Sequence, residues 1–202
     1  MQNMMAKLAK IREANGGVIE ARAAEEQGIT NADLSMLCRE GKIVRIGRGR
    51  FVVPKDKEDE MGKLAYNRKL LYSHQSALYL HGILDSPGEK YSVTFPEGTI
   101  PDDKVGAICE VHFVPADVYD LGRTMETTQL GNLVPTYDLE RSICDIALAK
   151  DEVGQDVFLS AITRYAQDQR FNEAKLYEYS DKLNITYALQ SYLEVLKWAR
   201  TN

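Results

Sequence analysis

The apolar positions change their period within residues 18–53, and the change marks out three elements. Residues 20–27 carry Ala21, Ala23 and Ala24, small side chains that let a neighbouring helix approach closely. Gly28 suits the left-handed residue that ends a helix, and Ile29 places an apolar side chain in the following turn. Thr30 reads as an N-cap and Asp33 as a first-turn carboxylate. The spacing then predicts a helix over 31–40, with Leu34, Leu37 and Cys38 facing inward. After Gly41 the period drops to two. Ile43, Val44 and Ile46 lead into Gly47-Arg48-Gly49, and Phe51, Val52 and Val53 lead out. Glycines at such a tip supply positive φ, so this is a hairpin. Residues 4–14, with Met5, Leu8 and Ile11, supply the first helix of a three-helix core. Helix, helix–turn–helix and hairpin together predict a winged helix-turn-helix over residues 1–56.

The remaining pattern is mixed. A charged connector at 54–60 leads into a helix expected to continue through Leu64, Asn67 and Leu71. Ser73 and Gly82 bracket a short helix. Strands are expected at 91–95 and 107–114, the second broken by Pro115, with shorter ones at 117–121, 125–130 and 133–134. From residue 137 the period is helical. Asp138, Asn172 and Thr186 read as N-caps, and the last helix carries Leu189, Tyr192, Leu193, Leu196 and Trp198. The fold class expected is α+β: an N-terminal winged helix-turn-helix, then a second domain over 57–202. That domain holds a small mixed β-sheet (91–134) and a C-terminal helical bundle (138–200).

Charge separates the two parts. Residues 1–53 hold nine Lys/Arg against six Asp/Glu, a net +3, whereas the whole chain is −5. A local cationic patch sets the field near a phosphate backbone whatever the overall sign. On the helix 31–40, Asn31, Ser35 and Arg39 fall on the outer face. That face is slim enough for a major groove about 12 Å wide. Lys42, Arg45, Arg48 and Arg50 decorate the hairpin, where cations neutralise flanking phosphates. Lys63, Arg68 and Lys69 either extend this basic face or pair with Glu60 and its neighbours. The partner expected is double-stranded DNA.

Three cysteines, Cys38, Cys109 and Cys144, sit far apart in apolar surroundings, the usage of a reduced, cytoplasmic protein. No run of about 18 apolar residues predicts a spanning helix, and no apolar signal segment opens the chain. Enzymatic readings are poorly supported. His74 and His81, seven apart on one helix, lie about 10 Å apart along its axis, too far to share a metal. Ser73 or Ser76 beside His74 makes a poor nucleophile–base pair, because helix neighbours diverge. Neither a Gly-x-Ser-x-Gly turn nor a phosphate-cradling loop is present. Asp102 with Glu110 and His112 faintly suggests a nuclease, but histidine stands where a lysine is needed. No cofactor and no metal are expected. The C-terminal tyrosines read as core or as a partner surface, and Arg123, Arg141, Arg164, Lys175 and Lys182 as solvated charges or a cationic surface.

Three stretches carry a resemblance over essentially the whole chain. After the winged helix-turn-helix come Ser73-His74-Gln75-Ser76-Ala77-Leu78-Tyr79-Leu80-His81-Gly82-Ile83 and Tyr91-Ser92-Val93-Thr94-Phe95-Pro96-Glu97-Gly98. The third is Glu140-Arg141-Ser142-Ile143-Cys144-Asp145. In this order they resemble the AbiEi antitoxins of the AbiE abortive-infection, type IV toxin–antitoxin systems. The resemblance implies an N-terminal domain that binds inverted repeats upstream of its own operon and represses it. It also implies a C-terminal domain that counteracts a nucleotidyltransferase-like toxin without a stable complex. The alternatives are a plain winged-helix regulator with a ligand- or protein-sensing C-terminal domain, and a metal-dependent nuclease.

Overall fold

The computed structural model describes residues 2–15, 17–53, 59–67, 69–187, 189 and 192. The chain is mixed α+β and divides into two compact units. The first comprises residues 1–68 with 127–134, and the second 69–126 with 135–202. The sequence sets the boundary after 56, whereas here α4 and the hairpin tip 127–134 group with the first unit.

In the first unit, α1 (Gln2–Ala14), α2 (Ala21–Glu26) and α3 (Asn31–Arg39) pack with β1 (Ile19–Glu20), β2 (Val44–Gly47) and β3 (Arg50–Val52). The strands form an antiparallel sheet in the order β1-β3-β2. Its core is Leu8, Ile11, Ile19, Ala24, Ile29, Leu34, Leu37, Ile43 and Phe51. β1 was not expected, because two residues carry no period. It exists through its partner, with Ile19 opposite Phe51 and Glu20 opposite Arg50. The start of α3 is fixed by reciprocal bonds. Thr30 Oγ1 accepts from the Asp33 N–H at 3.2 Å, and Asp33 Oδ2 accepts from the Thr30 N–H at 2.9 Å.

α4 (Glu60–Leu64) follows and ends there, so the helix expected to reach Leu71 is not formed. Leu70, Leu71 and Tyr72 are all fully buried, an unbroken apolar run suited to a strand covered on both faces. Asp59 opens α4 and is itself buried. Its carboxylate accepts from the Gly62 N–H, from Thr128 Oγ1 and from Asn132 Nδ2, while Arg12 Nη2 donates to Asn132 Oδ1 at 3.2 Å. The hairpin tip is thereby tied to α4 and α1 through one acid.

The second unit is built on a five-stranded mixed sheet in the order β6-β5-β4-β8-β7. These strands are β4 (Leu71–Tyr72), β5 (Tyr91–Pro96), β6 (Cys109–Val114), β7 (Arg123–Thr127) and β8 (Leu133–Tyr137). β4 runs antiparallel to β5 and parallel to β8, and β5 runs parallel to β6. Two expected strand segments are helical instead. Residues 107–108 finish α6 (Asp103–Ile108), which Asp102 caps by accepting from the Val105 N–H. Within 117–121, α7 (Ala116–Tyr119) forms behind Pro115 with Asp117 in its first turn, a helix-start signal that outweighs the short alternation.

α5 (His74–Leu80) and α8 (Leu139–Leu148) pack together, and α9 (Lys150–Val153), α10 (Gln155–Gln167) and α11 (Glu173–Lys182) follow. The shared core includes Leu78, Ile143, Ile146, Phe158, Ile162, Tyr165 and Leu176. Asp138 and Asn172 cap α8 and α11 as expected. Thr186 lies inside a helical turn that Ile185 precedes, rather than capping it; Leu193, Leu196 and Trp198 lie outside the described residues.

Arg141, on the first turn of α8, is fully buried. Its Nη1 donates to the Val118 and Leu121 carbonyls at 2.7 and 2.9 Å, and its Nε to Asp145 Oδ1 at 2.9 Å. Its guanidinium carbon lies 4.1 Å from the Tyr137 ring centre. Gly122, with φ +79°, makes room for this side chain, since a Cβ there would stand 2.6 Å from the Arg141 Cβ.

Two stability outcomes are expected. Gly122→Ala adds both a left-handed strain and a clash, and is expected to cost about 3 kcal/mol in urea denaturation. An unchanged midpoint would show that the segment 118–122 yields freely. Thr30→Ala is expected to cost about 1 kcal/mol and Thr30→Ser much less. The Thr30 hydroxyl and N–H hold the Asp33 carboxyl below its ordinary range. The contribution of the cap is therefore present above the ordinary carboxylate pKa and lost as pH falls through the lowered one. An acid limb of the denaturation profile that Asp33→Asn leaves unaltered would refute this.

Candidate nucleic-acid interface

α3 buries Leu34 and Leu37 and turns Asn31, Ala32, Ser35 and Arg39 outward, all exposed. The outward row follows from the 3.6-residue period, since the core takes the opposite stripe. Ser35 Oγ donates to the Asn31 carbonyl at 2.8 Å, so its hydroxyl proton is directed back along the helix and its lone pairs outward. Arg39 Nε makes only a long 3.5 Å contact with the Ser35 carbonyl. Gly41, with φ +70°, turns the chain from α3 into β2.

The hairpin places its cations unequally. Arg45 and Arg48 are exposed, and Arg45 Nε donates to the Gly47 carbonyl at 3.2 Å, which curls it toward the tip. The register between β2 and β3 shifts between Arg45 and Gly47, and Gly49 takes φ +67° to close the turn. Among the described residues neither Arg39, Arg45 nor Arg48 forms an ion pair. Lys42 is ion-paired with Glu40 at 2.8 Å. Arg50, expected on the hairpin, lies there on β3, half-buried and directly opposite Glu20 of β1. The strand alternation alone could not show this, because β1 is the element it missed.

Of the three further cations, Lys63 is exposed on α4 in the first unit and Lys69 is exposed in the second. Arg68 lies outside the described residues. The C-terminal cations are engaged. Arg123 pairs with Asp120, Arg164 with Asp85, Lys175 with Asp138 and Glu140, and Lys182 with Glu178, while Arg141 is buried.

The histidines and serines of the motif around residue 73 are structural cross-links. Ser76 Oγ donates to the Pro87 carbonyl and accepts from the Ser92 N–H. Ser73 Oγ accepts from Thr94 Oγ1 at 2.8 Å and lies 2.9 Å from His74 Nδ1. His74 has φ +48° and stacks on His112 with ring centres 3.8 Å apart. Burial, and then the neighbouring His112 and Arg141, push the His74 pKa well down, which keeps the ring neutral. His81 lies between the Tyr137 carbonyl (Nε2, 2.8 Å) and Glu126 (Nδ1, 3.2 Å). Asp102 is occupied as the α6 cap, and among the described residues no three His, Cys, Asp or Glu side chains gather as a metal would require. No described helix is long and apolar enough to cross a membrane.

No family model matches the chain, and no curated protein matches it. Among solved structures, that of the RV2827C protein from Mycobacterium tuberculosis is similar in fold. It matches 98% of this chain and 82% of that chain with a TM-score of 0.50 at 14% sequence identity.

Proposed function

We propose that this chain is a DNA-binding antitoxin that represses its own operon. Its first unit acts as a winged helix-turn-helix: α3 enters the major groove, and the β2–β3 hairpin rides the flanking backbone as the wing. The observation that carries the DNA half is the exposure of Arg39, Arg45 and Arg48 beside the polar face of α3, each without a carboxylate partner among the described residues. Guanidinium groups left unpaired in water gain most from a phosphate, because the counterions released on binding supply the free energy. Asn31, Ala32 and Ser35 are the side chains placed to meet base edges, while Lys42 would have to give up Glu40 before it met a phosphate. Arg50, set against Glu20, supports the wing rather than the contact.

The antitoxin half rests on the sequence resemblance of residues 73–83, 91–98 and 140–145. In this reading the second unit counteracts a nucleotidyltransferase-like toxin encoded beside it, without forming a stable complex.

Arg45→Ala with Arg48→Ala is expected to weaken binding to the DNA upstream of its own gene more than tenfold. It should also lower the slope of log K against log salt by about 2. Arg50→Ala is expected to leave that slope unchanged. Fluorescence anisotropy across a salt titration reads both, and a slope unaltered in the double variant would remove the wing from the interface. Co-expression with the neighbouring toxin gene tests the second half: growth rescued by the full chain and by Arg45→Ala/Arg48→Ala alike is expected. Failure of the full chain to rescue would remove the antitoxin role.

A further inference from the structure

The two edges of the five-stranded sheet are unlike. β7 ends its side with Arg123 and Glu126, charges of the kind that blunt an edge. β6 pairs with β5 through six consecutive residue pairs with no bulge. Among the described residues no strand pairs with its outer side. It contains neither lysine nor proline, and Phe113 on it is 48% exposed. Such an edge presents a row of backbone donors and acceptors to any strand that can lie along it.

The side chains of β6 decide which strand fits. Glu110 and His112 share one face, 4.0 Å apart, and Cys109, Val111 and Phe113 share the other. Suppose a second β6 lies antiparallel across a twofold axis. With the axis at Val111, each Glu110 stands opposite His112 of the second copy, Val111 opposite itself, and Cys109 opposite Phe113. Acid then stands beside the edge of an imidazole that is mostly buried against His74, and apolar meets apolar. An axis at Glu110 opposes two carboxylates, and an axis at His112 opposes two imidazoles. An axis between Val111 and His112 sets Glu110 against Phe113. The strand is self-complementary in one register.

We infer that β6 pairs with β6 of a second copy of this chain, antiparallel about Val111, joining two five-stranded sheets into one. The interface stands on the sheet and not on the DNA-binding reading, though a twofold pair is what an inverted repeat would engage. Only one strand edge and its neighbours are covered, so the association is weak and concentration-dependent.

Sedimentation velocity of the full chain without DNA, from about 1 to 100 µM, is expected to pass from monomer to a species of twice 22.8 kDa. Val111→Lys should weaken that association at least tenfold with the far-UV circular dichroism unchanged. Because Val111 is half-buried, a second measurement guards against misfolding. In a Cys38→Ser background, Val111→Cys should form a covalent dimer on mild oxidation and Glu110→Cys should not. A monomer throughout the range overturns the inference. So does a dimer that cross-links equally well through position 110. DNA is absent throughout, so this failure is distinct from a failure to bind an operator.

Discussion

The second unit depends on keeping one positive charge out of water. Arg141 is fully buried, and burial works most strongly against its charge, but Asp145, the Tyr137 ring and Cys144 together outweigh it, so the guanidinium pKa is raised, while burial also pushes the Asp145 carboxyl up. A buried ion pair is seldom a source of net stability, yet removing one partner leaves an uncompensated charge that costs about 3–5 kcal/mol. Arg141 therefore acts mainly as a specification. Its donors meet carbonyls that no strand ladder serves, those of Val118 and Leu121, and so fix the path from α7 into β7. The Tyr137 ring beneath it donates through its hydroxyl to the Tyr119 carbonyl, and the Tyr119 hydroxyl to the Lys69 carbonyl. One side chain on the first turn of α8 thus organises segments from residue 69 to residue 145. This gives a physical reason for the Glu140–Asp145 motif that does not involve chemistry on a substrate.

Much of this was open to a reading of the residues, and the failures share a cause. α3, α8 and α11 announce themselves by period and cap and α1 and α10 by period, while α5 lies between Ser73 and Gly82 although the Ser73 side chain makes no capping bond; all these signals are local. The caps at Thr30, Asp138 and Asn172 hold within a residue. β1, β4 and the ends of β8 are specified by partners distant in sequence. Two residues such as Leu71 and Tyr72 have no period, and only the strands on either side make them a strand. Residues 107–108 and 117–119 read as strand because short alternation competes with helix starts at Asp102 and Pro115, and the start signals win.

The same distinction governs the cations. A sequence shows where arginines occur but not which carboxylates fold against them. Arg50 and Arg48 read alike in sequence, yet Arg50 is half-buried, opposite Glu20 in the β1–β3 register, and Arg48 is exposed. Arg141 looked like a surface charge and is among the largest fully buried side chains. The helix face of Asn31, Ser35 and Arg39 was legible because an amphipathic stripe defines its own complement, and nothing distant is needed to expose it.

The charge division between the two parts bears on how such a surface could work in an acidic protein. Residues 1–53 carry net +3 in a chain of net −5, so the average field of the molecule repels a polyanion. At physiological ionic strength, charges beyond about 8 Å are largely screened, so in the proposed complex the phosphates nearest Arg39, Arg45 and Arg48 would respond to those groups first. At low salt the screening length grows and the acidic remainder is felt as well. Affinity would then climb less steeply on dilution of salt than the number of phosphate contacts alone implies. On the proposed reading, a protein with few fixed cations would gain selectivity from this arrangement: it would neutralise little backbone, so shape and base-edge contacts from α3 would have to supply a larger share of the binding.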